Sequence, residues 1–190
     1  YSLVVGPDIL DAAGNKMDQN ANLVNGEPGD RYTASFELVE APAFEALYDF
    51  GTASSPLAAG YTRVVSSTTY SAALGYGWVA GSGISVDRGI GTALTRDFVF
   101  TVTGATFGVD VPNGTYEVRV TMGDTGVYAH DQQGVYLEGV LVDSVNTAAG
   151  QVVTLVYTVT VQDGQLTLGL QDLGGKDGSV VVEGLAILSV

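Results

Sequence analysis

Apolar and polar residues alternate with a period of two through most of this chain. Phe107, Val109 and Val111, then Tyr116, Val118 and Val120, fall on one face, and Asp110, Glu117 and Arg119 on the other. That is the pattern of a half-buried antiparallel strand. Pro112-Asn113-Gly114 separates the two runs with turn-forming residues, so a hairpin is expected from Phe107–Val111 to Tyr116–Met122. A second hairpin is expected where Val153, Leu155, Tyr157, Val159 and Val161 meet Leu166, Leu168 and Leu170 across Asp163-Gly164. A third joins Val135-Tyr136-Leu137 to Val140-Leu141-Val142 through Glu138-Gly139.

Upstream, Tyr1–Gly6 and Arg31–Glu40 read as two strands flanking a polar loop, and Ala41–Leu47 as a single helical turn or a linker at a module boundary. No other segment has helical amphipathicity. From Tyr48 onward strands recur at roughly 8 to 12 residues with Gly, Asp or Asn between them, as in a sandwich or jelly roll. Between Phe50 and Phe100 the pattern loosens into Ser-, Thr-, Gly- and Tyr-rich sequence containing Tyr61, Tyr70, Tyr76 and the only tryptophan, Trp78. This stretch is expected to form long loops, where binding tends to sit. The fold class is therefore all-β: an antiparallel jelly-roll β-sandwich over 48–190, a linker at 41–47, and a two-stranded segment at 1–40.

Charge and composition narrow the partners. Twenty-one acidic residues against seven basic ones give a net charge of −14, which repels nucleic acid and anionic membrane surfaces. The acidity favours solubility and cation binding. There is no cysteine, so disulfides and thiolate metal sites are excluded. No apolar run reaches the roughly 18 to 20 residues that cross a bilayer, so no membrane insertion is expected. The chain starts at Tyr1 without Met or a basic leader region, as a mature product or an excised fragment does.

Candidate chemistry is sparse. One histidine, His130, and no G-x-S-x-G elbow leave a Ser-His-Asp triad without support, and no signal selects a carboxylate pair for glycoside hydrolysis, so no enzyme activity is expected. In the first loop Asp18, Asn20 and Asn22 stand at alternate positions, with Glu27 and Asp30 following, as in an oxygen-ligand calcium loop; a plain Asx-rich turn explains the same residues. A calcium site on the sandwich itself, involving Asp49, is the other possibility. Sugar binding asks for aromatic faces flanked by polar groups. Tyr76 and Trp78 with Asp87 and Arg88, or Tyr128 with His130 and Asp131, supply both. Equally, Trp78 fits a core tryptophan, Asp87-Arg88 a loop-fixing ion pair, and His130-Asp131 a loop hydrogen bond.

Tyr48-Asp49-Phe50-Gly51-Thr52, G-Y-T at 60–62, G-Y-G-W at 75–78, D-R-G at 87–89, L-T-R-D at 94–97 and V-P-N-G-T-Y at 111–116 together resemble a known domain. It is the galactose-binding-like jelly roll found beside rhamnogalacturonan acetylesterases and other secreted polysaccharide-degrading enzymes, and the resemblance covers roughly Leu47–Val190. It implies a non-catalytic module of large bacterial exported proteins, extracellular or on the cell surface, often binding carbohydrate and calcium. Tyr1–Glu40 resembles the closing strands of a bacterial Ig-like domain. Two functions follow as expectations: a polysaccharide- or glycan-binding module, or a structural module whose Tyr1–Gly6 strand adds to a neighbouring copy to build a homo-oligomer or filament.

Overall fold

The computed structural model describes residues 2–36 and 43–190, which separate into two compact units, Tyr1–Pro42 and Ala43–Val190. In the first unit, β1 (Ser2–Val5) pairs antiparallel with β2 (Tyr32–Ser35), Leu3 opposite Ala34 and Val5 opposite Tyr32. The first strand thus finds its backbone partner within its own unit. The second expected strand, Arg31–Glu40, forms over Tyr32–Ser35, and residues 37–42 of the expected strand and linker lie outside the described residues.

The second unit is a β-sandwich with no helix among its described residues. One sheet runs β11 (Val140–Thr147), β10 (His130–Leu137), β13 (Gln165–Asp172), β8 (Ala105–Asp110), β5 (Tyr76–Gly81). The facing sheet runs β12 (Val152–Val161), β9 (Gly114–Gly123), β15 (Gly184–Ser189), β3 (Glu45–Phe50), β4 (Thr62–Val64), antiparallel except for the parallel β3–β4 pair. A three-stranded sheet adds β14 (Val180–Val182), β7 (Asp97–Thr101) and β6 (Ile84–Asp87). Glu45–Leu47, expected as a helical turn or linker, instead opens β3. Residues 50–100, expected as long loops, hold β4, β5, β6 and β7; their strands are three to six residues long, too short for alternation to stand out.

Two of the three expected hairpins are arches. β8 pairs with β13 and β5, whereas β9 pairs with β12 and β15, so Pro112-Asn113-Gly114 carries the chain from one sheet to the other. Asp163-Gly164 likewise joins β12 in one sheet to β13 in the other. The alternation is satisfied either way. In a hairpin the apolar sets share one face of one sheet; in an arch they lie on opposing inner faces and meet across the core. The third hairpin forms as expected, Leu137 opposite Val140, with Glu138 (φ 51°) and Gly139 (φ 73°) both left-handed as a type I′ turn demands.

The core fills the space between the two large sheets. Phe107 is fully buried at its centre, its ring 5.0 Å from Phe50 and 5.3 Å from both Tyr48 and Trp78. A buried ring cluster this close relaxes only partly after truncation, so a cavity remains. Phe107→Ala is expected to cost about 3–5 kcal/mol of unfolding free energy in urea titrations, against less than about 0.5 kcal/mol for Val156→Ala on an exposed face of β12. A Phe107→Ala cost below about 1 kcal/mol contradicts this core.

Candidate functional site

Arg88 follows β6 directly, and its guanidinium reaches the carboxylate of Asp124, just beyond β9. Nε donates at 2.9 Å to Oδ1 and Nη2 at 2.6 Å to Oδ2. Asp124 is 0% exposed. Burial alone pushes its carboxyl up, but the Arg88 hydrogen bonds, the Gly126 N–H at 2.7 Å and the charges of Arg88 and His130 outweigh that and hold it below the usual carboxylate range. The guanidinium lies over two rings, 5.1 Å from the Phe98 centroid and 4.9 Å from that of Tyr128, within cation–π range of both. His130, at the start of β10, is nearly buried; its Nδ1 lies 2.5 Å from Asp177 Oδ2 and its Nε2 3.6 Å from Asp124 Oδ2. Beside these groups lies a cavity of about 370 Å³ walled by Val86, Phe98, Phe100 and Val181 with Tyr128, Ala129 and Ser179. That is at the small end of small-molecule sites.

The structure brings Arg88, Tyr128 and His130 of the sequence candidates to this cavity and sends the others elsewhere. Successive residues of an extended chain point to opposite sides. Asp87 and Arg88 therefore do not pair with each other: Asp87 binds Arg96 through two 3.0 Å hydrogen bonds, and these hold its carboxyl below the usual range. Asp131 turns away from His130 and accepts the N–H groups of Lys176 and Asp177 at 3.0 Å each, which fixes the loop carrying Asp177. Trp78 is corrected from ligand platform to core: it is 4% exposed and its Nε1 donates to the Val65 carbonyl at 3.1 Å. Tyr76 packs half-buried against Tyr48 and Phe107. Asp124, Asp177, Phe98 and Phe100 were not among the sequence candidates. Asp124 and Asp177 sit in Gly-rich turns that no motif distinguishes, and Phe98 and Phe100 read as ordinary strand residues.

The loop from Asp18 to Asp30 is closed on its own hydrogen bonds. Asp18 accepts Asn22 and Leu23 N–H at 3.1 and 2.9 Å, Asn20 and Asn22 Oδ1 accept backbone N–H groups, and both their amides donate to Glu27 Oε1 at 2.7 and 2.6 Å. Asp30 is buried and takes the N–H groups of Gln19 and Glu27 at 3.1 Å. These bonds account for the loop as an Asx-rich turn. Among the described residues no group of three or more His, Cys, Asp or Glu side chains stands ready to hold a metal ion.

A separate set of buried acids lies in the sandwich. Glu183, between β14 and β15, is 0% exposed and neither side-chain oxygen has a partner among the described residues. Burial first, then the charges of Asp124, Asp97 and Asp49, push it up to about 9. Asp49 Oδ1 and Asp97 Oδ1 are likewise without partners. Burial, with the charge of Asp97 adding, pushes Asp49 up to about 6 against the 2.8 Å hydrogen bond from Ala58 N–H. Asp97 is pushed up by burial despite accepting from Ser55 and Thr52. Gly51 has no room for a side chain, because a Cβ there collides with the Asp97 carboxylate.

Residues 47–187 match the family described as beta-agarase/YxiM esterase-like, galactose-binding domain-like. The chain belongs to this family. The galactose-binding-like domain is 39% identical over 140 residues to Beta-agarase A of Zobellia galactanivorans, covering 71% of this chain and 25% of that protein. It is 32% identical over 137 residues to the uncharacterized esterase YxiM of Bacillus subtilis, covering 70% and 33%. The chain thus spans about a quarter to a third of the curated relatives it matches. The crystal structure of YxiM superposes with a TM-score of 0.58 at 31% identity, over 77% of this chain and 40% of that one. A Bacteroides uniformis beta-glucuronidase shares the fold, with a TM-score of 0.53 at 16% identity over 77% and 18%.

The buried acids give the domain a pH signature. Groups held above their unfolded values bind more protons when folded, so the stability they contribute is present below the unfolded values, near 4, and is lost as pH rises toward about 6 for Asp49 and about 9 for Glu183. In chelator, the melting temperature is expected to fall by at least about 5 °C between pH 5 and pH 8, and Glu183→Gln to flatten that slope. A melting temperature that climbs across this window contradicts the burial of these acids.

Proposed function

We propose that the galactose-binding-like domain is a non-catalytic carbohydrate-binding module of a secreted bacterial protein, and that the Arg88–Tyr128–His130 cavity is its glycan site. The observation that carries this reading is the cation–π contact: Tyr128 is 56% exposed although its ring is held 4.9 Å from a fixed guanidinium. An aromatic face that is both pre-positioned and wet suits the C–H face of a pyranose, while the Arg88 and His130 groups fix hydroxyls around it. The relatives named for agarase and esterase activity make polysaccharide the favoured ligand class. The second reading, strand addition through Tyr1–Gly6, gains no specific support, since β1 already pairs with β2.

Binding is tested by affinity electrophoresis of the chain through gels containing agarose, galactan or other neutral polysaccharides. Tyr128→Ala is expected to weaken retardation about five- to thirtyfold, the ~1–2 kcal/mol of a lost aromatic contact, with an unchanged melting temperature. Unaltered retardation in that variant places the glycan elsewhere.

Calcium belongs to the same proposal on a narrower observation. The partnerless buried oxygens of Asp49, Asp97 and Glu183 are of the hard, anionic kind that calcium takes, but they do not stand together as a ready ligand group, so an ion taken up there must draw them in, and it acts structurally. Millimolar calcium at pH 8 is expected to raise the melting temperature of the native chain but not of Glu183→Gln. The same melting temperature in calcium and in chelator disposes of the site.

A further inference from the structure

We propose that the cavity selects an O-acetylated sugar, the acetyl methyl seated on its apolar floor. This rests on the glycan-binding reading above and adds what the site discriminates. The floor is the outer face of the three-stranded sheet. Val86 stands opposite Phe98 and Phe100 opposite Val181 across β6, β7 and β14, while Val99, Val180 and Val182 turn inward to the core. A sheet face that points outward is ordinarily polar; here it carries four apolar side chains, of which Phe98 and Val181 are already covered while Val86 and Phe100 stay partly exposed at the cavity.

A bare sugar presents a hydroxyl at almost every carbon. A hydroxyl pressed on this floor loses its water and meets no partner, which disfavours binding. A methyl group there gains instead, since it removes apolar surface from water. The rim supplies what the rest of an acetyl ester needs. Arg88 uses Nε and Nη2 on Asp124, which leaves Nη1 as a donor with no partner among the described residues, and the Ser179 hydroxyl is a second such donor lining the cavity. Both donate readily to an ester carbonyl. Charge points the same way: Arg88 is already neutralised by Asp124, and Asp177 stands beside His130 at the cavity, which favours a neutral substituent over a carboxylate or sulfate.

The test compares retardation of the full chain by an O-acetylated galactan, an O-acetylated glucomannan, the saponified partner of each and an O-methylated counterpart. At least one acetylated polymer is expected to bind at tenfold lower concentration than its saponified partner. Phe100→Ala, which removes floor, and Ser179→Ala, which removes a rim donor without disturbing the core, are each expected to shrink that ratio to below threefold. Equal or tighter binding of the saponified polymers overturns the acetyl assignment and leaves glycan binding standing, and equal binding of the methylated polymer overturns the role of the carbonyl. Ratios unchanged in both variants move the preference to another surface. No retention of any polymer overturns this inference and the binding function together.

Discussion

A carboxylate with no access to water stays ionised only if fixed charges and donors replace the water, and at Asp124 that duty falls mainly on Arg88. Removing one partner of such a buried pair typically costs about 3–5 kcal/mol, because the other is left uncompensated. The pair does more than satisfy itself. By holding the guanidinium at both Nε and Nη2 it fixes a planar cation that Phe98 and Tyr128 both meet within cation–π range. The exposed Tyr128 ring is thereby held in place before any ligand arrives, and pre-positioning lowers the ordering cost of binding. The cavity, its apolar floor and its partnerless donors all follow from where that one ion pair sits.

The same unit handles its other buried acids differently. Asp124 has a cation, and its carboxyl is held low; Glu183, Asp97 and Asp49 crowd one another without a close cation of their own, apart from the more distant Arg63, and their carboxyls are pushed up. Identical chemistry therefore splits by environment into one carboxylate whose charged form is favoured and a set whose charged forms are disfavoured by burial. Both sets lie against the three-stranded sheet, Asp97 opening β7 and Glu183 closing β14. This small sheet, rather than the two large ones, carries most of the chemistry of the domain.

Much of this architecture was legible in the residues. Alternation located β8 to β13, and every one of Phe107, Val109, Val111, Tyr116, Val118 and Val120 is buried. The quoted G-Y-G-W, D-R-G and V-P-N-G-T-Y runs placed the family correctly. What alternation could not say was which sheet a strand joins, since Pro112-Asn113-Gly114 and Asp163-Gly164 turn an arch as readily as a hairpin. The site was half legible: Arg88, Tyr128 and His130 stood out as unusual residue types, but their organising partner Asp124 is one acid among twenty-one in an unremarkable turn. Trp78 misled because a tryptophan fits a core and a sugar platform alike, and only its neighbours Phe50 and Phe107 decide between them.

The central claim, that the Arg88–Tyr128 pair forms a ready-made glycan site, is tested most directly by nuclear magnetic resonance titration of isotopically labelled chain with a neutral oligosaccharide. The account predicts saturable shifts concentrated on Tyr128, Ala129, His130, Val86, Ser179 and the Arg88 side-chain Nε–H, with the latter still protected from solvent exchange throughout by its bond to Asp124. Shifts confined to the exposed faces of β11 and β12, or an Arg88 Nε–H that exchanges freely before ligand is added, would contradict it.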